Sequence, residues 1–199
     1  MGSNLRMRPL TLPILAALLL AAQSSGSVAV KTDAYAVYDA VIPSDWLIQQ
    51  AHTTELLIQA TTAVDDPLFK RCVPAGPGLT APWQDSLNDF KAQMAAAKDL
   101  KSQFSLPVPY RLESRDTIRE IFTTAGNRGW YAFHATYPRA KGYLRLSAVG
   151  FDKAHEHALV YMDHSCGAEC AGGQYHFLER AANGWREVPL NVSLCEWIS

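Results

Sequence analysis

The sequence predicts an α+β domain: N-terminal helices packed on a C-terminal antiparallel β-meander of about four strands. Three observations carry this. Apolar residues recur at helical spacing up to Pro138 and then alternate from Gly142 onward. The connections between the alternating segments are short, which joins antiparallel neighbours. Asn183-Gly184 is a hairpin turn signal, since both residues tolerate positive φ.

The elements follow in order. Asp33 to Ile42 reads as a helix, with Ala34, Val37, Tyr38, Val41 and Ile42 on one stripe, Thr32 or Asp33 as N-cap and Pro43 as terminator. Thr54 to Thr61 suits a short strand with Leu56 and Ile58 on one face. Asp65 to Thr80 contains Pro67, Pro74, Pro77, Gly76 and Gly78 and reads as a loop that includes Cys72. A helix is expected from about Pro82 to Lys101, with Trp83, Leu87, Phe90, Met94 and Ala97 facing the core. Ser114 caps another, with Ile118, Ile121, Phe122 and Ala125 inward and Gly126 as its stop. Trp130, Phe133, His134 and Tyr137 mark a short aromatic helix ending at Pro138, with His134 expected as a buried, satisfied imidazole. Four strands then follow: Tyr143 to Gly150, His157 to His164, Gln174 to Glu179, and Trp185 to Trp197.

Residues 1–27 read as a secretory signal. Arg6 and Arg8 precede an apolar run from Leu10 to Ala22, and small residues follow it. The run is shorter than the roughly 20 residues that span a bilayer. Cleavage is expected between residues 24 and 27, leaving 28–199 as a single secreted or periplasmic domain. A cut after Ser27 leaves 16 bases against 19 acids. With charged residues at 19% and no basic stripe, nucleic-acid binding has no support, and no membrane span is expected in the mature chain. The hydrophobic content of 48% rules out wholesale disorder.

Export turns four cysteines into two expected disulfides. Cys166–Cys170 with Cys72–Cys195 and Cys72–Cys166 with Cys170–Cys195 have similar loop-closure entropies, so entropy does not choose. Register favours the local bridge. A hairpin symmetric about residue 168 sets Leu159 against Phe177 and Tyr161 against Tyr175, all on one face. Cys72–Cys195 then follows by elimination.

His155, His157, His164, Cys166, Cys170 and His176 lie close together in sequence, with enough nitrogen and sulfur for a metal. The spacing matches no standard zinc pattern, and oxidation would remove the thiolates. No metal or other cofactor is therefore expected, with His155, His157, His164 and His176 kept as the metal candidates. There is no nucleophile elbow, phosphate-binding loop or dinucleotide fingerprint. Asp163, His164 and Ser165 are consecutive, so a strand points them to alternate faces and they cannot form a triad. No catalytic set is complete. The reading is a non-catalytic binding or envelope-associated domain. The alternatives are a metal-dependent hydrolase using the His-rich hairpins and a thiol-redox protein using Cys166 and Cys170. A binding module should expose an apolar or aromatic patch near Trp130, Trp185 or Trp197.

Several phrases together resemble a widespread family of uncharacterised exported bacterial proteins. They are Tyr35 to Ile42, Leu56 to Thr61, Trp130 to Pro138, Gly142 to Lys153 (G-Y-x-x-L-S-x-V-G-F-x-K), and Ala158 to Tyr161 (A-L-V-Y). Cys166 to Gly173 (C-G-x-x-C-x-x-G), Leu178 to Trp185 and Trp197 to Ser199 complete the pattern. The likeness implies an exported single domain in which Cys166 and Cys170 belong to the shared motif. Cys72 and Cys195 fall outside that motif and look like an added bridge. The resemblance implies no activity.

Overall fold

The computed structural model describes residues 33–64, 79–189 and 197–199. The expected signal, most of the Asp65–Thr80 loop, and Cys72 and Cys195 lie outside the described residues. Helix α1 (Asp33–Val41) leads through a 3-10 turn at Ile42–Ser44 into a single helical turn, α2 (Trp46–Gln49). Strand β1 (Leu56–Gln59), helix α3 (Ala81–Gln93) and strand β2 (Tyr110–Glu113) follow. Helices α4 (Arg115–Ala125) and α5 (Gly129–Thr136) precede β3 (Tyr143–Leu146), β4 (Gly150–Phe151), β5 (His157–Gly167), β6 (Cys170–Ala181), β7 (Gly184–Glu187) and β8 (Trp197–Ile198).

Helices and sheet are both present, but the expected four-stranded antiparallel meander needs correction. The strands form one mixed sheet of eight, ordered β2-β1-β3-β5-β6-β7, with β4 on β5 and β8 on β6. β1 runs parallel to both β2 and β3, and the remaining pairs are antiparallel. Parallel neighbours need long crossovers, and here helices supply them. The helices therefore cover both faces of the sheet rather than one. Tyr35, Tyr38 and Val41 of α1 pack on Leu56, Ile58, Leu144, Leu146, Val160 and Met162. On the opposite face Trp83, Leu87 and Phe90 of α3 pack on Leu159, Tyr161, Tyr175 and Phe177. Ile118 and Phe133, from α4 and α5, cover Leu57 on that face too. Each such large apolar side chain contributes about 1.5–3 kcal/mol of burial.

The hairpin register is the one expected: Leu159 opposes Phe177, Tyr161 opposes Tyr175 and Val160 opposes His176. It slips between Ser165 and Gly167, where Cys166 bridges to Cys170. Three boundaries differ from expectation. The strand expected over Tyr143–Gly150 breaks after Leu146, because the Ser147 hydroxyl, not a backbone carbonyl, accepts the Tyr161 N–H at 2.8 Å. Helix α3 stops at Gln93, well before Lys101, leaving Ala97 exposed. The chain instead turns back to pair beside β1, with Leu100 N donating to the Ala60 carbonyl at 2.8 Å and Thr62 N to that of Lys98 at 2.9 Å. Trp185–Trp197 is not one strand but contributes the ends of β7 and β8. In α4, Ser114 caps as expected, its hydroxyl accepting from Thr117 N at 2.9 Å, and Gly126 follows the helix with φ of 56°. Ile118 alone of that stripe is fully buried; Ile121 and Phe122 are partly so. Among the described residues no helix is long and apolar enough to cross a membrane.

Candidate functional site

The site begins with Asp45. Pro43 ends α1 in a 3-10 turn, and Asp45 then adopts extended backbone and caps α2. Its Oδ1 accepts the Leu47 N–H at 2.8 Å. Leu47 is fully buried and anchors this turn, which leaves the preceding Trp46 turned outward and 42% exposed. The second carboxylate oxygen, Oδ2, accepts from His164 Nδ1 at 3.0 Å. His164 reaches it because β5 alternates: Val160 and Met162 share its face, while Tyr161 and Asp163 face the other way. Trp46 stacks on the His164 ring, with centroids 5.7 Å apart and planes 23° apart. A residue from each of two elements 119 positions apart in sequence thus meets in one largely buried hydrogen bond.

Below this pair lies a cleft of about 480 Å³ between α2 and the turn end of the β5–β6 hairpin. Its floor includes Met162, Gly172 and Gln174, and its rim includes Gln49, Gln50, Glu169 and Ile198. Ile198 is 82% exposed. β8 closes one side through the pairs Gly172–Ile198 and Gly173–Trp197. The Trp197 indole belongs to the opposite face, donating to the Tyr161 hydroxyl at 2.6 Å. Gly173 makes room for it: a Cβ there would stand 2.3 Å from the Tyr161 hydroxyl and 2.8 Å from Trp197 Nε1. At Gly172 a Cβ would stand 3.3 Å from the Trp197 carbonyl oxygen and 3.4 Å from His164 Cε1, narrowing the floor between them. A smaller depression of about 330 Å³ shares Trp46 and Cys170 with the cleft and adds His134, Lys141 and Cys166. His134, expected buried, is exposed, because Phe133 fills the core position beside it.

The metal candidates do not converge. Each takes a different carboxylate: His155 Nδ1 lies 3.6 Å from Asp33, His157 Nδ1 3.1 Å from Asp152, His164 Nδ1 3.0 Å from Asp45, and His176 Nδ1 2.8 Å from Glu187. Among the described residues no group of three or more His, Cys, Asp or Glu side chains could hold a metal. Cys166 and Cys170 are joined to each other. His176 is fully buried, and its Nε2 has no hydrogen-bond partner among the described residues. Asp163 turns from His164 and forms a two-pronged ion pair with Arg145 at 2.7 and 2.9 Å, so the consecutive Asp163, His164 and Ser165 do not form a triad.

Two of these carboxylates are tuned by their settings. Burial alone would raise Asp152, but hydrogen bonds from the His157 backbone and ring and from Glu156 N outweigh it and hold the carboxyl below its ordinary value. The His176 hydrogen bond holds Glu187 low against the opposing effect of burial.

Sequence reasoning named His164 but missed Asp45 and Trp46. The available signal was Pro43-Ser44-Asp45-Trp46, a terminator followed by an N-cap residue and an aromatic. Comparison of the chain with family models, curated proteins and solved structures finds no match.

Proposed function

We propose that this is an exported, non-catalytic binding domain whose ligand occupies the cleft between α2 and the β5–β6 hairpin. The observation that carries the reading is the pairing of a 480 Å³ cleft with two exposed apolar side chains, Trp46 and Ile198, on its walls. That volume falls in the usual range for small-molecule sites, and clustered apolar exposure is a mark of binding surfaces. The patch adjoins Trp197, one of the three places where a binding module should display it. The polar groups around it favour binding over chemistry. Asp45 spends both oxygens on structure, and among the described residues no nucleophile stands in hydrogen-bond contact with His164.

Export rests on the basic n-region, the short apolar run and the Cys166–Cys170 bridge, which an oxidising compartment would preserve. Mass spectrometry of the chain recovered from a bacterial periplasm should give an N-terminus between residues 25 and 28; an intact Met1 would refute export.

An NMR screen with neutral fragment molecules tests the binding reading. Shifts should gather on Trp46, His164, Gln174 and Ile198. Their absence would count against a ligand site. Hydrolysis of p-nitrophenyl esters that disappears in H164A would instead overturn the non-catalytic reading and make the cleft catalytic.

A further inference from the structure

We infer that the cleft takes a neutral carbohydrate, which rests on the binding reading and names its ligand class. Charge narrows the choice first. Among the described residues that line the cleft there is no Lys or Arg, so an anionic ligand finds no counter-charge. Asp45 offers little to a cation: its side chain is 5% exposed and both oxygens are engaged by Leu47 and His164. Glu169 is the other acidic side chain on the lining, and it stands exposed at the hairpin tip, where water screens it.

The remaining groups are those that a sugar ring needs. A pyranose has flat C–H faces and an edge of hydroxyls that both donate and accept. Trp46 supplies a wide apolar plane, held in place by its stack on His164 and by the capped turn that carries it. Large aromatic rings combine such apolar area with little conformational freedom to lose. Ile198 extends the apolar surface on the opposite wall. Gln49, Gln50 and Gln174 put three primary amides around the cleft, each with donors and an acceptor in one plane, and Gln49 Nε2 already donates to the Pro43 carbonyl at 2.7 Å. Amides satisfy hydroxyls without imposing a charge. A wholly apolar ligand would cover the Gln50 and Gln174 amides without pairing them, and an anionic one would find no Lys or Arg on the lining.

The test uses the purified protein and titration calorimetry with cellohexaose, chitohexaose and maltohexaose. A heparin hexasaccharide and tetramethylammonium serve as the anionic and cationic arms. At least one neutral hexasaccharide should bind with a Kd below about 10 mM. W46A should weaken it at least about tenfold and Q174A by a smaller factor, with circular dichroism and melting temperature as in the wild type. W185F lies away from the cleft and should leave the affinity unchanged. Failure of all three neutral sugars, or binding that W46A does not alter, would overturn the inference. Binding of only heparin or tetramethylammonium in the cleft would overturn the ligand class and leave the binding domain standing. A blank fragment screen beside blank sugars would remove both.

Discussion

Substitution of Asp45 by alanine should destabilise the protein by about 2 kcal/mol, the sum of a lost helix cap and a lost charged hydrogen bond. The N-cap bond to Leu47 N, 2.8 Å long and buried, is worth about 1 kcal/mol. The bond to His164 Nδ1, at 3.0 Å, involves a charged acceptor and would ordinarily be worth about 1.5–3 kcal/mol. The imidazole keeps 15% exposure, so water recovers part of that in the variant, leaving about 1 kcal/mol. D45N retains an amide oxygen for the cap but presents one polar atom fewer as an acceptor, so about half the loss is expected. Urea unfolding of D45A, H164A and the double variant measures both contributions. The cycle should return a coupling of about 1 kcal/mol between the two side chains. Trp46 emission should also change in D45A, since its stack on His164 depends on the anchored ring. A D45A midpoint within about 0.5 kcal/mol of wild type, or additive single losses, would refute this account of how the cleft wall is held.

Three more predictions concern the scaffold. G150A should cost at least about 1–3 kcal/mol, because an added Cβ would lie 2.3–2.5 Å from Phe90 N, Phe90 Cα and the Ser86 carbonyl, all backbone of α3; a wild-type melting curve would contradict that close approach. Replacing Cys166 and Cys170 by alanine should lose about 2 kcal/mol in chemical denaturation, the loop-closure value for so short a bridge. No loss would mean that the hairpin holds itself. Asp152 and Glu187 have folded pKa values below their ordinary 3.8 and 4.5, so their stabilising effect is complete above about pH 4.5 and is lost as pH falls through the lower folded values. A D152N/E187Q variant should therefore show a flatter acid arm in melting temperature against pH, and an arm as steep as wild type would count against both pairs.

The parts that were legible in the sequence are local. Residues 157–179 alternate around a short loop, so symmetry alone sets Leu159 against Phe177. The long-range pairings left little trace. β1 and β2 are four residues each and meet in parallel across an intervening helix, a pairing with no turn to announce it. Alternation of Leu106, Val108, Tyr110 and Leu112, all packed on the core, was the signal for β2. Lys98 to Leu100 extends an alanine-rich helical pattern, yet backbone partners beside β1 win over local propensity. The histidine cluster misled for a related reason. His157 lies on the α3 face against Trp83, while His164 and His176 share the other face, but His164 opposes Gly172, four positions from His176, so each ring takes a separate carboxylate. Asp45 could be read as a cap, but nothing in the sequence ties it to His164.

The central claim is that ligand meets protein on the wall built by Trp46, Asp45 and His164. Amide-shift mapping with a neutral hexasaccharide tests it most directly. Saturable shifts should cluster on Ser44 to Gln50, on Glu169 to Gln174 and on Ile198. A cluster on the α4–α5 surface around Tyr131, or none anywhere, would contradict the claim.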